Sequence, residues 1–578
     1  MDTQRLLSST PMAALFGIVA GTVVSGAAAG DPLSFSDEAL ARGVNFTMGF
    51  NYAQYGSGSV LADLDGDGDL DIFIAGGSSG SIAVYENDGT GNFTNRTAGS
   101  GLSAMNIASG TAGADYDNDG DIDIYISGWN TPSRLYRNNG DFTFTDVAAI
   151  AGVNVSCPSM GASWGDVDGD GLLDLYASVR TLTNGDLTRN FMYMNNGDGT
   201  FTDQAGPMGI DAGNDPTLLS AFFDYDGDGD IDLYLGTDKG SGGPTGVLFN
   251  KLYRNDGGGN FTDVTFDANA QAYVDCMGIA VGDLDFDGYF DLYVTNTQQG
   301  NKLLMHDGVS AYVDETAAAG VGSYYVGWGT VFADFDNDTQ LDTYVCNMQG
   351  PNRLYRGSQT WPLIDEGPSA GVDEANDVFC VSVGDIDGDN DLDMLVGNTN
   401  GRVRLYINNS PGAATNNWVR FNVVGHDANR FAIGAGVRIS ADGKNQMREV
   451  RSGVNYKTHD EYTLHFGLAD AAVVDDILIT FNNNAQTRTL TGAPVNQTWT
   501  LYPQSRLGDS NGNGRIEYAE TREALDRFTP PGGTISPGEE IYDMNGDFVI
   551  DMTDIRIMGE HIVRPPKGNR VNAGQVGL

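Results

Sequence analysis

The chain has 578 residues, with 31 basic and 78 acidic side chains and a net charge of -47. That length exceeds one ordinary compact core, and the carboxylate excess repels nucleic acid and anionic membrane surfaces while attracting cations. A disordered acidic chain is excluded by 40% apolar residues, 25 tyrosines and 26 phenylalanines.

At the N-terminus, Arg5 precedes an apolar run at 12–24, and Ala27 and Ala29 then fit a small-residue cleavage site. Residues 1–29 therefore read as a signal peptide. The mature protein is expected to be secreted, extracellular or at the cell surface, with the periplasm as an alternative. No later segment approaches a membrane-spanning length, so no membrane span is expected in the mature protein. Cys157, Cys276, Cys346 and Cys380 lie far apart without C-x-x-C spacing, which argues against zinc and leaves their pairing open.

From residue 63 onward an acidic nonapeptide recurs: DLDGDGDLD at 63, then copies at 115, 166, 224, 283, 334 and 385, spaced 51 to 59 residues apart. A period in this range marks propellers and solenoids. Small and apolar residues precede each copy, an alternating strand such as LDIFIAGG follows it, and a second hairpin such as LYRNNGDFTFTDVA comes later. Four short strands per repeat make one propeller blade, so residues 30–412 are expected to form a seven-bladed β-propeller. The seventh repeat lacks its fourth strand, and SFSDEALARGV at 34–44, which matches FTDVAAIAGV at 144–153, is expected to supply it.

Positions 1, 3, 5 and 9 of the nonapeptide are aspartate in every copy. They are Asp63, Asp65, Asp67 and Asp71; Asp115, Asp117, Asp119 and Asp123; Asp166, Asp168, Asp170 and Asp174; and Asp224, Asp226, Asp228 and Asp232. The last three copies give Asp283, Asp285, Asp287 and Asp291; Asp334, Asp336, Asp338 and Asp342; and Asp385, Asp387, Asp389 and Asp393. Alternate carboxylates on a curling loop can converge on one hard cation, and calcium takes six to eight oxygens. Up to seven calcium ions are therefore expected in the repeats. Glycine at position 6 permits the turn. Thr339 and Asn390 hold that position in copies six and seven, and the β-branched threonine predicts the weakest site at copy six.

These loops, D-x-D-x-D-G-x-x-D followed by a strand, resemble the FG-GAP or VCBS repeats of integrin α-subunit propellers and many secreted bacterial proteins, over about 380 residues. The resemblance implies calcium ions on one face of the ring, between strands 1 and 2 of each blade. Residues 413–503 are β-rich and are similar to an ASPIC/UnbV domain, found behind such repeats in the cartilage acidic protein family, through NRFAIGAGVRI, QMREVRSG, LHFGL and NQTWTLY. The family's usual Trp-Pro-Ser-Gly turn is replaced here by FNNN at 481–484.

Residues 504–564 change character again and are expected to form a small helical calcium-loop module, with 565–578 a tail. DSNGNGRIEYAE places Asp509, Asn511, Asn513 and Glu520 as in an EF-hand, with Gly514 at the turn. DMNGDFVIDMTD places Asp543, Asn545, Asp547, Asp551 and Asp554 likewise, but Phe548 replaces the glycine. Up to two further calcium ions are expected there. A loop followed by one helix, twice, resembles a dockerin, whose family role is docking to a cohesin partner. An ordinary EF-hand pair is the rival reading.

Five histidines, His306, His426, His459, His465 and His561, are scattered, with no H-E-x-x-H and no nucleophile elbow. The expectation is therefore a non-enzymatic adhesion or interaction module, with a calcium-dependent polysaccharide lyase as the alternative. Longer connections in repeats three and four fall on the face away from the metal loops. With Trp129 they carry Arg180, Arg189 and Lys239, expected to bind a protein or glycan ligand.

Overall fold

The computed structural model describes residues 32–507 apart from 50–57, 77–79, 181–188, 239–247, 298, 400, 426–427 and 482–486, together with scattered residues between 524 and 558. The expected signal peptide, Lys239 and the whole of the first expected C-terminal calcium loop lie outside the described residues. No helix among the described residues is long and apolar enough to cross a membrane.

The chain is all-β. Each repeat forms an antiparallel four-stranded meander, as in Thr217–Phe223, Asp232–Thr237, Lys251–Asn255 and Phe261–Asp263. The second strand is buried along its whole length in repeats one, three, four, five and seven, because sheets cover both of its faces. Sheets two and three are joined: Asp123–Pro132 runs past its own sheet and pairs with the start of Ser156–Gly165. In the seventh sheet, Phe35–Asp37 pairs with Arg404–Asn408, so the N-terminal segment supplies the missing fourth strand.

First strands of successive sheets touch one another, and that of the seventh, Val378–Gly384, packs on that of the first, Ser59–Ala62. Glycines make these approaches possible. A Cβ on Gly329 would lie 2.7 Å from the Phe379 carbonyl oxygen, and one on Gly110 would lie 2.5 Å from that of Met160.

A C-terminal β domain follows. Leu464–Ala469, Asn417–Val423 and Thr498–Leu501 form a three-stranded sheet, the last strand parallel to the middle one. Lys444–Glu449, Gly436–Ala441, Val473–Thr480 and Thr487–Pro494 form a second sheet.

Between Glu449 and Leu464 this domain sends a segment among the first strands of the repeats. The Leu61 N–H donates to the His459 carbonyl and the His459 N–H to that of Ser59 in sheet one. Ser452 Oγ donates to Gly113 O in sheet two, Ser163 Oγ of sheet three to Gly453 O, and the Asp224 N–H of sheet four to Glu449. The Ile279 N–H of sheet five donates to Asn455 O, Tyr456 packs edge-on to Trp328 of sheet six, and Thr458 Oγ1 donates to Val381 O in sheet seven. One segment thus touches all seven sheets, and its polar residues Ser452, Asn455, Lys457, Thr458 and His459 are buried.

Candidate metal centres

Each acidic nonapeptide joins the first strand of its sheet to the second. Two of its residues are left-handed. Position 6 is so in every copy, including Thr339 at φ +87° and Asn390 at +71°. Position 4 is the second, held by glycine in four copies, by Asn118 and Asn337, and by Phe286 at +67°, a requirement the sequence reading missed. Strain at Thr339 follows from its β-branch.

Backbone donors orient three of the four aspartates in all seven loops. Position 1 accepts the N–H of position 6, as Asp224 does from Gly229. Position 5 accepts that of position 7, as Asp228 does from Asp230. Position 9 accepts the N–H of position 2 on one oxygen and that of the residue ending the third strand on the other, as Asp232 does from Tyr225 and Asn255.

The result is convergence. In loops one to five, carboxylate oxygens of positions 1, 3 and 9 lie within 4.8 Å of one another: Asp63, Asp65 and Asp71; Asp115, Asp117 and Asp123; Asp166, Asp168 and Asp174; Asp224, Asp226 and Asp232; Asp283, Asp285 and Asp291. Position 5 stands outside these triplets. Buried oxygens of Asp65, Asp226 and Asp283, and in loops six and seven of Asp336, Asp385 and Asp387, have no hydrogen-bond donor, and a buried, unpaired carboxylate oxygen is costly unless a cation reaches it. The donor set is all oxygen and fits a hard divalent cation. Burial, aided by neighbouring carboxylates, pushes Asp115, Asp166, Asp224 and Asp283 up to about 7 and Asp71 up to about 8.

The residue ending the third strand does a second job. The Asn138 amide donates to Leu64 O, at position 2 of the preceding loop; Asn195 reaches Tyr116 O, Asn255 reaches Val167 O and Asn408 reaches Phe335 O. Asn87 of the first repeat reaches Ile386 O of the seventh. These amides bolt five of the seven acidic loops to the next sheet. The recurring asparagine after L-Y-R or its equivalent was the available sequence signal. In repeats five and six the position is His306 and Gly357, and Gln359 reaches Leu284 O in place of the missing amide.

Loops six and seven differ from the rest. Arg356 pairs with Asp336 and lies 3.6 Å from Asp338, while Lys444 donates to Thr339 Oγ1. In loop seven Arg42 pairs with Asp387 at 2.9 Å, and Arg420 pairs with Asp385 and Glu461. Lys444 and Arg420 belong to the C-terminal β domain, which covers this face; His465 bonds Asn337 there. The remaining aspartates of these loops, Asp334, Asp342, Asp389 and Asp393, keep the backbone contacts of the repeat.

Of the C-terminal residues, Asp543, Asn545 and Asp554 are described; Asp509, Asn511, Asn513, Glu520, Asp547 and Asp551 are not. Asp543 accepts the N–H groups of Gly546 and Phe548, and Asp554 those of Met544 and Asn545. Phe548 adopts the glycine conformation at φ +57°, its buried ring edge-on to Trp499 of the β domain. Packing thus holds a conformation that the residue type disfavours. The stretches expected as helices fall largely outside the described residues.

Of the residues expected to bind a ligand, Trp129 and Arg180 prove to be buried. Trp129 is 8% exposed, at the junction of sheets two and three. Arg180 is 6% exposed and pairs with Asp238, and Arg189 pairs with Asp203 at 2.6 Å. Intramolecular carboxylates take up both cations, which an acidic chain makes common. The four cysteines are buried free thiols.

The family description FG-GAP-like repeat matches residues 63–126, 115–177, 224–294 and 334–396, and the description ASPIC and UnbV matches 425–507. The chain thus carries FG-GAP-like repeats in a β-propeller, followed by an ASPIC/UnbV domain. It is homologous to cartilage acidic protein 1. Identity to the Mus musculus protein is 25% over 468 residues, 72% of this chain and 69% of that one. Identity to the Homo sapiens protein is 26% over 319 residues, 50% of this chain and 47% of that one, so the chain spans about half the length of the human relative. Similar solved structures include BBS1N in complex with ARL6DN, at 11% identity and TM-score 0.38, covering 63% of this chain and 96% of that one. Another is the SapL1 lectin in complex with alpha methyl fucoside, at 11% identity and TM-score 0.33, covering 54% of this chain and 97% of that one.

Proposed function

We propose that the protein is an exported, calcium-binding, closed seven-bladed propeller that serves as an adhesion or interaction module, with the ASPIC/UnbV domain as its fixed cover and axial plug. The observation that carries this reading is the sevenfold loop: aspartates held by one set of backbone donors, with buried oxygens left for a cation. Calcium would neutralise positions 1, 3 and 9 and tie the ends of the first two strands of a blade together. The asparagine amides would pass that rigidity to the next blade.

Because the ASPIC/UnbV domain covers the acidic loops and fills the axis, partners are left the opposite face and the outer rim. The C-terminal loop, docked on the β domain through Asp543 and Phe548, would bind a further calcium ion and serve as an attachment point of the dockerin or EF-hand type. A thermal melt with and without chelator tests the metals, and the reading fails if calcium leaves the transition unmoved. A screen of glycans and extracellular proteins against the mature chain, run beside a product assay on acidic polysaccharides, separates a binder from a lyase.

A further inference from the structure

The asparagine of the regular bolt is missing in two successive repeats, and a cavity opens there. Where five repeats end their third strand with asparagine, repeats five and six have His306 and Gly357. Between them lies a cavity of about 380 Å³ lined by both, with Asp285, Glu315, Gln359 and Trp361 also on its walls. That volume lies within the usual range for small-molecule sites. Gly357 contributes no side chain, and a Cβ there would lie 2.6 Å from Leu341 O, so the strand end is held tight and the space beside it stays open.

The groups in this cavity have a definite pattern. His306 is 3% exposed, and its Nδ1 accepts the Gly308 N–H at 3.1 Å. The proton of the neutral ring therefore sits on Nε2, a buried atom with no hydrogen-bond partner. Tyr289 stacks on the imidazole with centroids 4.5 Å apart and fixes its plane. On the wall the Glu315 carboxylate supplies acceptors. At the mouth Trp361 is 38% exposed and Val313 45%, giving an indole and an aliphatic surface to cover a ring. One buried donor, carboxylate acceptors and an exposed indole are what a polyol ring with one apolar face requires.

We propose that this cavity, where repeats five and six depart from the other five, binds a neutral hexose unit of a glycan. A sugar hydroxyl accepts from His306 Nε2, other hydroxyls donate to Glu315, and Trp361 covers the apolar face of the ring. An anionic sugar would meet Glu315 and is disfavoured. The proposal deepens the interaction-module reading and rests on it, naming the ligand class and placing it on the rim.

The test is a titration of the full mature protein, in calcium, with methyl glycosides of glucose, galactose, mannose and fucose and with glucuronate, read by calorimetry and tryptophan fluorescence. At least one neutral glycoside should bind, and glucuronate should not. Trp361→Ala should weaken binding about tenfold or more. His306→Asn restores the residue of the other repeats, so it should keep the melting temperature and still lose about tenfold in affinity. The proposal is overturned if no neutral glycoside binds at millimolar concentration, or if both variants bind as the parent does. A calcium-dependent melt in the same samples separates the two readings: a calcium shift without sugar binding removes only this cavity, whereas no calcium shift removes the module reading.

Discussion

Loop two and loop six share one nonapeptide spacing and one set of backbone contacts, yet their aspartates meet different partners. In loop two, Asp115, Asp117 and Asp123 converge within 4.8 Å. In loop six, Arg356 pairs with Asp336, and Lys444 reaches in from the next domain. One repeated acidic loop thus leaves its carboxylates to one another at one position of the ring and meets protein cations at another, and the loop alone does not reveal which. What decides is the basic side chain that the surrounding fold brings to it.

The largest effect expected from pressing this comparison is calcium removal. With several ions each contributing about 2 to 3 kcal/mol when well above their dissociation constants, chelation should lower the melting temperature by roughly 10 °C or more. Loops one to five should account for most of it. Next in size, Arg356→Met removes the partner of Asp336 and should destabilise by about 3 kcal/mol in chelator. Part of that loss should return on adding calcium, which chemical denaturation in the two conditions would read. Asp115→Ala should reduce the calcium stoichiometry by one in native mass spectrometry.

A pH series tests the electrostatic half of the comparison. Burial raises Asp115, Asp166, Asp224 and Asp283 to about 7, above the ordinary carboxylate value near 4. The folded chain then binds protons more tightly than the unfolded one. Their stabilising contribution is complete below about pH 4 and is lost as pH rises through about 7, so in chelator this term lowers the melting temperature across that window. Saturating calcium should flatten the slope, since the metal holds the charged form. The smallest effect is expected at the turn. Thr339→Gly relieves a β-branched residue at φ +87° and should add about 1 kcal/mol, less whatever the Lys444 contact contributes. Asn390→Gly should add no more than a few tenths.

Much of the repeat region was legible because its information is local and recurs. DIDIYISG reads as a strand wherever it stands, and the match of 34–44 to 144–153 located the strand that completes sheet seven. Other features were not. Asn138 looks like an ordinary hairpin residue until its amide is seen on Leu64 O. Arg180 and Trp129 looked like exposed ligand contacts because a sequence assigns a residue to a loop without saying what packs on that loop; Asp238, 58 positions away, is the answer for the first. Phe548, a poor residue for a left-handed turn, is held there by Trp499, which no local rule foresees.

The sequence by itself determined the number of repeats, their four-strand form, the aspartate spacing and the place where a second β domain begins. Each of these depends on residues within about a dozen positions, and repetition lifts the pattern above chance. Tertiary structure alone decided that residues 449–459 reach all seven sheets, that Lys444 and Arg420 reach loops six and seven, and that a cavity opens beside Gly357. Burying Lys457 and His459 is possible only because strands far apart in the chain surround them, and no window of sequence contains those strands.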